Sequence, residues 1–159
     1  MVQTEADDGT GSGNGLWVTD GTADGTKLLK EFNQNGEVTI EEGVEFNSSF
    51  YFIADEGVNG FQMWVSNGTE SGTQLVQNNL DQEYNLIPAL GSLFFNARDQ
   101  VLGAGNELWV TDGTEEGTYM VRDINLGGDS FPDSHFEFND RLFISADDGV
   151  HGWELWAVS

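Results

Sequence analysis

Paired carboxylates recur in this chain at Asp7-Asp8-Gly9, Asp55-Glu56-Gly57 and Asp147-Asp148-Gly149. Carboxylate oxygens gathered in one tight loop are the ligands a hard divalent cation prefers. Asp7, Asp8, Asp55, Glu56, Asp147 and Asp148 are therefore a candidate metal set, with calcium the candidate ion. The competing reading is that each Asp caps its own turn and stays solvated. It is favoured by Arg98-Asp99, where the equivalent segment keeps a single acid, and by the lack of either EF-hand spacing or a Gly-Gly-x-Gly-x-Asp nonapeptide.

Asp20, Asn67 and Asp112 each open a Gly-Thr turn. With Thr22, Thr69 and Thr114 they would line repeated ligand pockets, or they would bond their own backbone as Asx turns. Asn67 keeps the turn while removing the charge, which favours structure over metal. Trp153 stands out of register with the other tryptophans and has a counterpart in Phe61, so these two aromatics complete the candidate ligand-binding set. His135 and His151 have no Cys or second His at ligand spacing, and no nucleophile relay is legible around either. A glycosidase needs two differently tuned carboxyls at one centre, whereas these acids repeat, so a non-enzymatic role is expected.

The elements that must hold these residues come in repeats. Leu16-Trp17-Val18-Thr19-Asp20-Gly21-Thr22 returns as Met63 to Thr69, as Leu108 to Thr114 and, shortened, as Leu155-Trp156-Ala157-Val158, at intervals of 47, 45 and 47 residues. A second Gly-Thr follows at Gly25, Gly72 and Gly117, and runs such as Phe50-Tyr51-Phe52-Ile53, Leu93-Phe94-Phe95 and Leu142-Phe143-Ile144 precede the Trp segments. Short aromatic and β-branched runs bounded by Gly, Asn and Asp read as strands joined by turns. One unit then holds four antiparallel strands, near 44–47, 50–54, 61–66 and 74–78 in the second copy. Consecutive apolar residues on a strand point to both faces of a sheet, so both faces must be covered, and copies of the sheet stacked as β-propeller-type blades would cover them. The alternative all-β solution for a chain of this length is a β-trefoil.

The segment Glu107 to Thr114, echoed in Glu154-Leu155-Trp156, resembles the ELWxxDGT repeat of bacterial secreted and surface proteins. The resemblance covers nearly the whole chain. It implies a propeller-like array on extracellular or cell-surface proteins, and it implies neither catalytic residues nor a settled ligand. Gly15 and Gln62 depart from the leading Glu, Asn67 departs from the Asp, and Val101 to Asn106 lengthen the third hairpin.

The repeats divide the chain into a partial unit at 1–43, units at 44–85 and 86–133, and a partial unit at 134–159. So few blades do not close a ring, so copies of the chain or further repeats of a longer array are the expected neighbours. With 28 acidic against 5 basic residues the net charge is -23, which repels nucleic acid and anionic membranes. No segment has the apolar length for membrane insertion, the opening residues carry no signal peptide pattern, and the absence of cysteine leaves no disulfide or thiolate chemistry. The expected function is an extracellular binding or scaffolding module, stabilised by calcium or salt, that presents a surface to a protein or glycan partner. The alternatives are an oligomeric lectin whose ring is closed by several short chains, and a purely structural segment of a longer surface protein.

Overall fold

The aromatic runs and the Leu-Trp-Val segments form strands, as their composition requires. The computed structural model describes residues 2–3, 14–33, 39–55, 60–77, 80–82, 85–99, 101 and 103–159. Among these, every regular element is a strand and every pairing is antiparallel.

The first sheet is β1 (Val2–Gln3), β2 (Asn14–Val18) and β3 (Lys27–Asn33), in that order. The second is a four-stranded meander of β4 (Thr39–Phe46), β5 (Ser49–Asp55), β6 (Phe61–Ser66) and β7 (Thr73–Leu75). In the third, β8 (Leu80–Gln82) and β9 (Ile87–Ala89) both lie on one edge of β10 (Ser92–Asp99), which pairs with β11 (Asn106–Thr111), and that with β12 (Tyr119–Arg122). β8 and β9 act as one interrupted outer strand, and Pro88 sits there because only an edge tolerates a missing ladder donor. The fourth sheet is β13 (Asp133–Glu137), β14 (Leu142–Asp147) and β15 (Trp153–Val158).

Three hairpins close through two-residue loops with positive φ at both positions: Asn47-Ser48, Leu90-Gly91 and Asn139-Asp140. That is the turn whose twist matches antiparallel strands. Asn, Asp and Gly accept the left-handed region readily; Leu90 does not, and its side chain is held in place by packing on the neighbouring core.

The chain divides into two units, Met1–Leu75 and Val76–Ser159. In the first unit two sheets face each other, with Leu16 and Leu29 of the first sheet against Phe52, Ala54 and Trp64 of the second. Phe32 meets Trp64 edge-on at 4.8 Å between ring centroids, a favourable contact of opposite quadrupole ends. In the second unit Phe94, Leu108 and Val110 of the third sheet pack with Leu142 and Ile144 of the fourth.

The two junctions follow one plan. In each, the Leu of the Leu-Trp-Val strand points at the next sheet, and the next sheet answers with its Trp side. A cation on the last strand of the preceding sheet then lies over that indole: Lys30 Nζ is 5.2 Å from the Trp64 ring, and the Arg122 guanidinium is 5.7 Å from Trp156. Register explains the match, since Leu16 pairs with Lys30 and Leu108 pairs with Arg122. Trp64 and Trp109 are buried and Trp17 and Trp156 are half-buried.

Candidate functional site

The repeated turn is built from its own residues. Asp20 Oδ1 accepts from the Thr22 backbone N–H at 2.9 Å and the Thr22 hydroxyl at 2.7 Å. Asn67 repeats this with Thr69 at 3.1 and 2.7 Å, and Asp112 with Thr114 at 2.9 and 2.7 Å. The same Thr hydroxyl accepts from the N–H of Gly25, Gly72 or Gly117. A second pair of hydroxyls closes the base of each hairpin: Thr19 with Thr26, Ser66 with Thr73 and Thr111 with Thr118, at 2.7, 2.8 and 2.7 Å.

Each glycine in the motif has its own reason. Gly21, Gly68 and Gly113 take φ of +92°, +84° and +96°, a region L side chains avoid. Gly25, Gly72 and Gly117 are needed for space, because a Cβ there would stand about 2 Å from the turn's own Asp or Asn oxygen. Hydrogen bonding to Thr22 and Thr114 holds the carboxyls of Asp20 and Asp112 below the usual aspartate range. The geometry brings Asp20, Asn67 and Asp112 into three separate turns, each exposed and each bonded within itself.

Of the paired acids, Asp7, Asp8 and Glu56 lie outside the described residues. Asp55 ends β5, half-buried, opposite Phe61, which is also half-buried. Asp147 and Asp148 open the β14–β15 hairpin, where Asp147 Oδ1 accepts from Gly149 N–H at 2.7 Å. Asp148 Oδ1 accepts from the N–H groups of Val150 and His151 at 2.8 and 2.7 Å, and Oδ2 meets His151 Nδ1 at 2.7 Å. Those bonds, the His151 backbone N–H foremost, lower the Asp148 carboxyl to about 2, and the carboxylate in turn raises the His151 imidazole. Glu154 joins them, so that ligand atoms of Asp148, His151 and Glu154 lie within 4.8 Å of one another. Trp153, 58% exposed, stands opposite Asp147 across the ladder.

Sequence reasoning assigned no role to Glu107, which is fully buried. Its Oε2 accepts from Ile124 N–H at 2.9 Å and from the Ser130 hydroxyl at 2.6 Å, and its Oε1 faces Asn125 N–H at 3.4 Å. Burial pushes this carboxyl up, against the pull of those donors. Ser130 also joins the third and fourth sheets, donating its N–H to Asn106 O and accepting from Asp147 N–H. Beside it Asp129 binds Arg98 through two bonds of 3.0 and 2.8 Å and receives the Asn106 N–H at 2.8 Å. The leading Glu of the motif was the available signal: Glu107 is an anchor for the connection from β12 to β13.

No protein-family model matches the chain, and neither a curated protein nor a solved structure matches it.

Proposed function

We propose that the chain is a non-enzymatic repeat module of the extracellular, propeller-type kind, in which sheets stack as blades and the assembly serves binding or scaffolding. The observation that carries this reading is the turn chemistry: in three copies the motif's Asp or Asn and Thr groups bond one another, so the repeated residues maintain the scaffold. Face-to-face packing of meanders in both units favours blades over a β-trefoil, and the resemblance to ELWxxDGT repeats favours a secreted or cell-surface setting. Recognition of a protein or glycan partner then falls to residues outside the repeated turn. Trp153, exposed beside Asp147, favours a lectin as the second reading, since an indole flanked by a carboxylate is suited to stacking on a sugar ring and bonding its hydroxyls.

A glycan array in calcium buffer, probed with the unmodified chain, with Asp20→Ala/Asp112→Ala and with Trp153→Ala, tests both. The scaffold reading expects the double variant to melt earlier and keep the wild-type binding profile. If the double variant stays folded and loses glycan binding, the turns are the binding sites and that reading fails. The lectin reading requires binding by the unmodified chain that Trp153→Ala removes.

A further inference from the structure

One register position separates the fourth sheet from the others. Leu16, Met63 and Leu108, which precede the Trp of their strands, are 0, 0 and 1% exposed, whereas Leu155 in the same place is 65% exposed. Its face also carries Ser145 and Asp147, the ladder partners of Leu155 and Trp153, and its other neighbours there are apolar. Phe143 stacks on Phe136 at 5.1 Å with the rings 9° from parallel, Trp153 lies two residues before Leu155, and Ala157 pairs with Phe143. Large exposed apolar side chains gathered on one sheet face mark an interaction surface.

The molecule itself shows twice what covers such a face. The Leu16 side of the first sheet is covered by the Trp64 side of the second, and the Leu108 side of the third by the Trp156 side of the fourth. The complementary shape is therefore a Trp-side sheet face. The Trp side of the first sheet carries Trp17, half-buried, and its ladder partner Leu28, 41% exposed. Gly15 keeps that face flat: Gln62, Glu107 or Glu154 fills the equivalent place elsewhere, and even a Cβ on Gly15 would meet Leu28 at 2.5 Å.

We infer that the Leu155–Phe143 face of the fourth sheet docks the Trp17–Leu28 face of the first sheet of a second copy of this chain. Charge selects this pairing over two fourth sheets meeting each other. The segment 133–158 carries six carboxylates and one arginine, against three carboxylates and two lysines in 14–33, so the unlike pairing carries the smaller repulsion. The contact is head-to-tail, each copy using a different face, and it extends beyond a dimer as concentration rises. This rests on the reading of the sheets as stacking units.

Sedimentation of the whole chain over a wide concentration range in high sodium chloride, where repulsion between copies is screened, is the test. Wild type is expected to associate progressively. Leu155→Lys and Leu28→Lys, both at exposed positions, are each expected to stay monomeric alone with unchanged melting temperature. Mixed together they are expected to form a one-to-one dimer, because each supplies the face the other has lost. Self-association of Leu28→Lys would overturn the head-to-tail pairing, and a wild type that stays monomeric throughout would overturn docking itself. The stacking reading is checked separately by Arg122→Ala and Lys30→Ala, which act inside one copy: if neither lowers the melting temperature, that reading fails whatever the oligomeric state.

Discussion

Gly117 and Asp112 occupy one small volume, and the repeat spends a glycine there in each of three copies so that the acid can fold back on its turn. Gly117→Ala places a methyl about 2 Å from Asp112 Oδ1 and forces the carboxylate out, at an expected cost of about 1–3 kcal/mol in denaturant unfolding. Asp112→Asn is expected to be nearly neutral by the same measurement, since Asn67 already makes both bonds in the second sheet. The Asp148–His151 pair predicts a pH dependence. The lowered Asp148 contributes above the ordinary aspartate value of 3.8, and its share is lost as pH falls toward about 2. The raised His151 contributes below the ordinary histidine value of 6.5, and its share is lost as pH rises through the raised value. An NMR titration of the His151 ring is expected to give a midpoint above 6.5 that Asp148→Asn lowers; an unchanged midpoint in the variant would refute the pairing. Turn residues were legible in the sequence because Asp-Gly-Thr states its backbone requirement locally. Glu107 was not, because its partners Ile124, Asn125 and Ser130 come from a connection whose path only the fold defines.

Strands were legible for the same reason that their order was: alternation and turn chemistry act over a few residues. The second meander was expected near 44–47, 50–54, 61–66 and 74–78, and its strands lie at Thr39–Phe46, Ser49–Asp55, Phe61–Ser66 and Thr73–Leu75. The first began earlier than expected because the ladder runs past a bulge between Ile40 and Glu42, which a pattern of apolar residues does not announce. Splitting of the outer strand into β8 and β9 was likewise invisible. At this scale Glu107 joins β11 to the connection that leads into β13. Glu107→Ala takes the acceptor from the Ile124 N–H and leaves the buried Ser130 hydroxyl with Asn106 O alone, a loss of about 1–3 kcal/mol by chemical denaturation at neutral pH. Glu107→Gln is expected to lose less, because an amide oxygen can still serve both donors. It also removes a penalty: since folding raises this carboxyl, its contribution is full below the ordinary glutamate range and declines as pH rises through the raised value.

Over the whole chain, 28 carboxylates against 5 cations oppose compaction, and screening relieves the repulsion. Melting temperature is expected to climb with sodium chloride. Calcium at matched ionic strength should add nothing if the acids only cap turns, and an increment that sodium does not reproduce would establish a cation site. The scarce cations have another consequence. Trypsin cuts only after Lys or Arg, and here Lys27 and Lys30 lie in β3, Arg98 in β10, Arg122 in β12, and Arg141 immediately before β14. A backbone held in a ladder must open before a protease can thread it. Nicking at Lys30 therefore times the loosening of one sheet pair and nicking at Arg122 that of the other, so fragment masses from a single digest would clock the two cores independently.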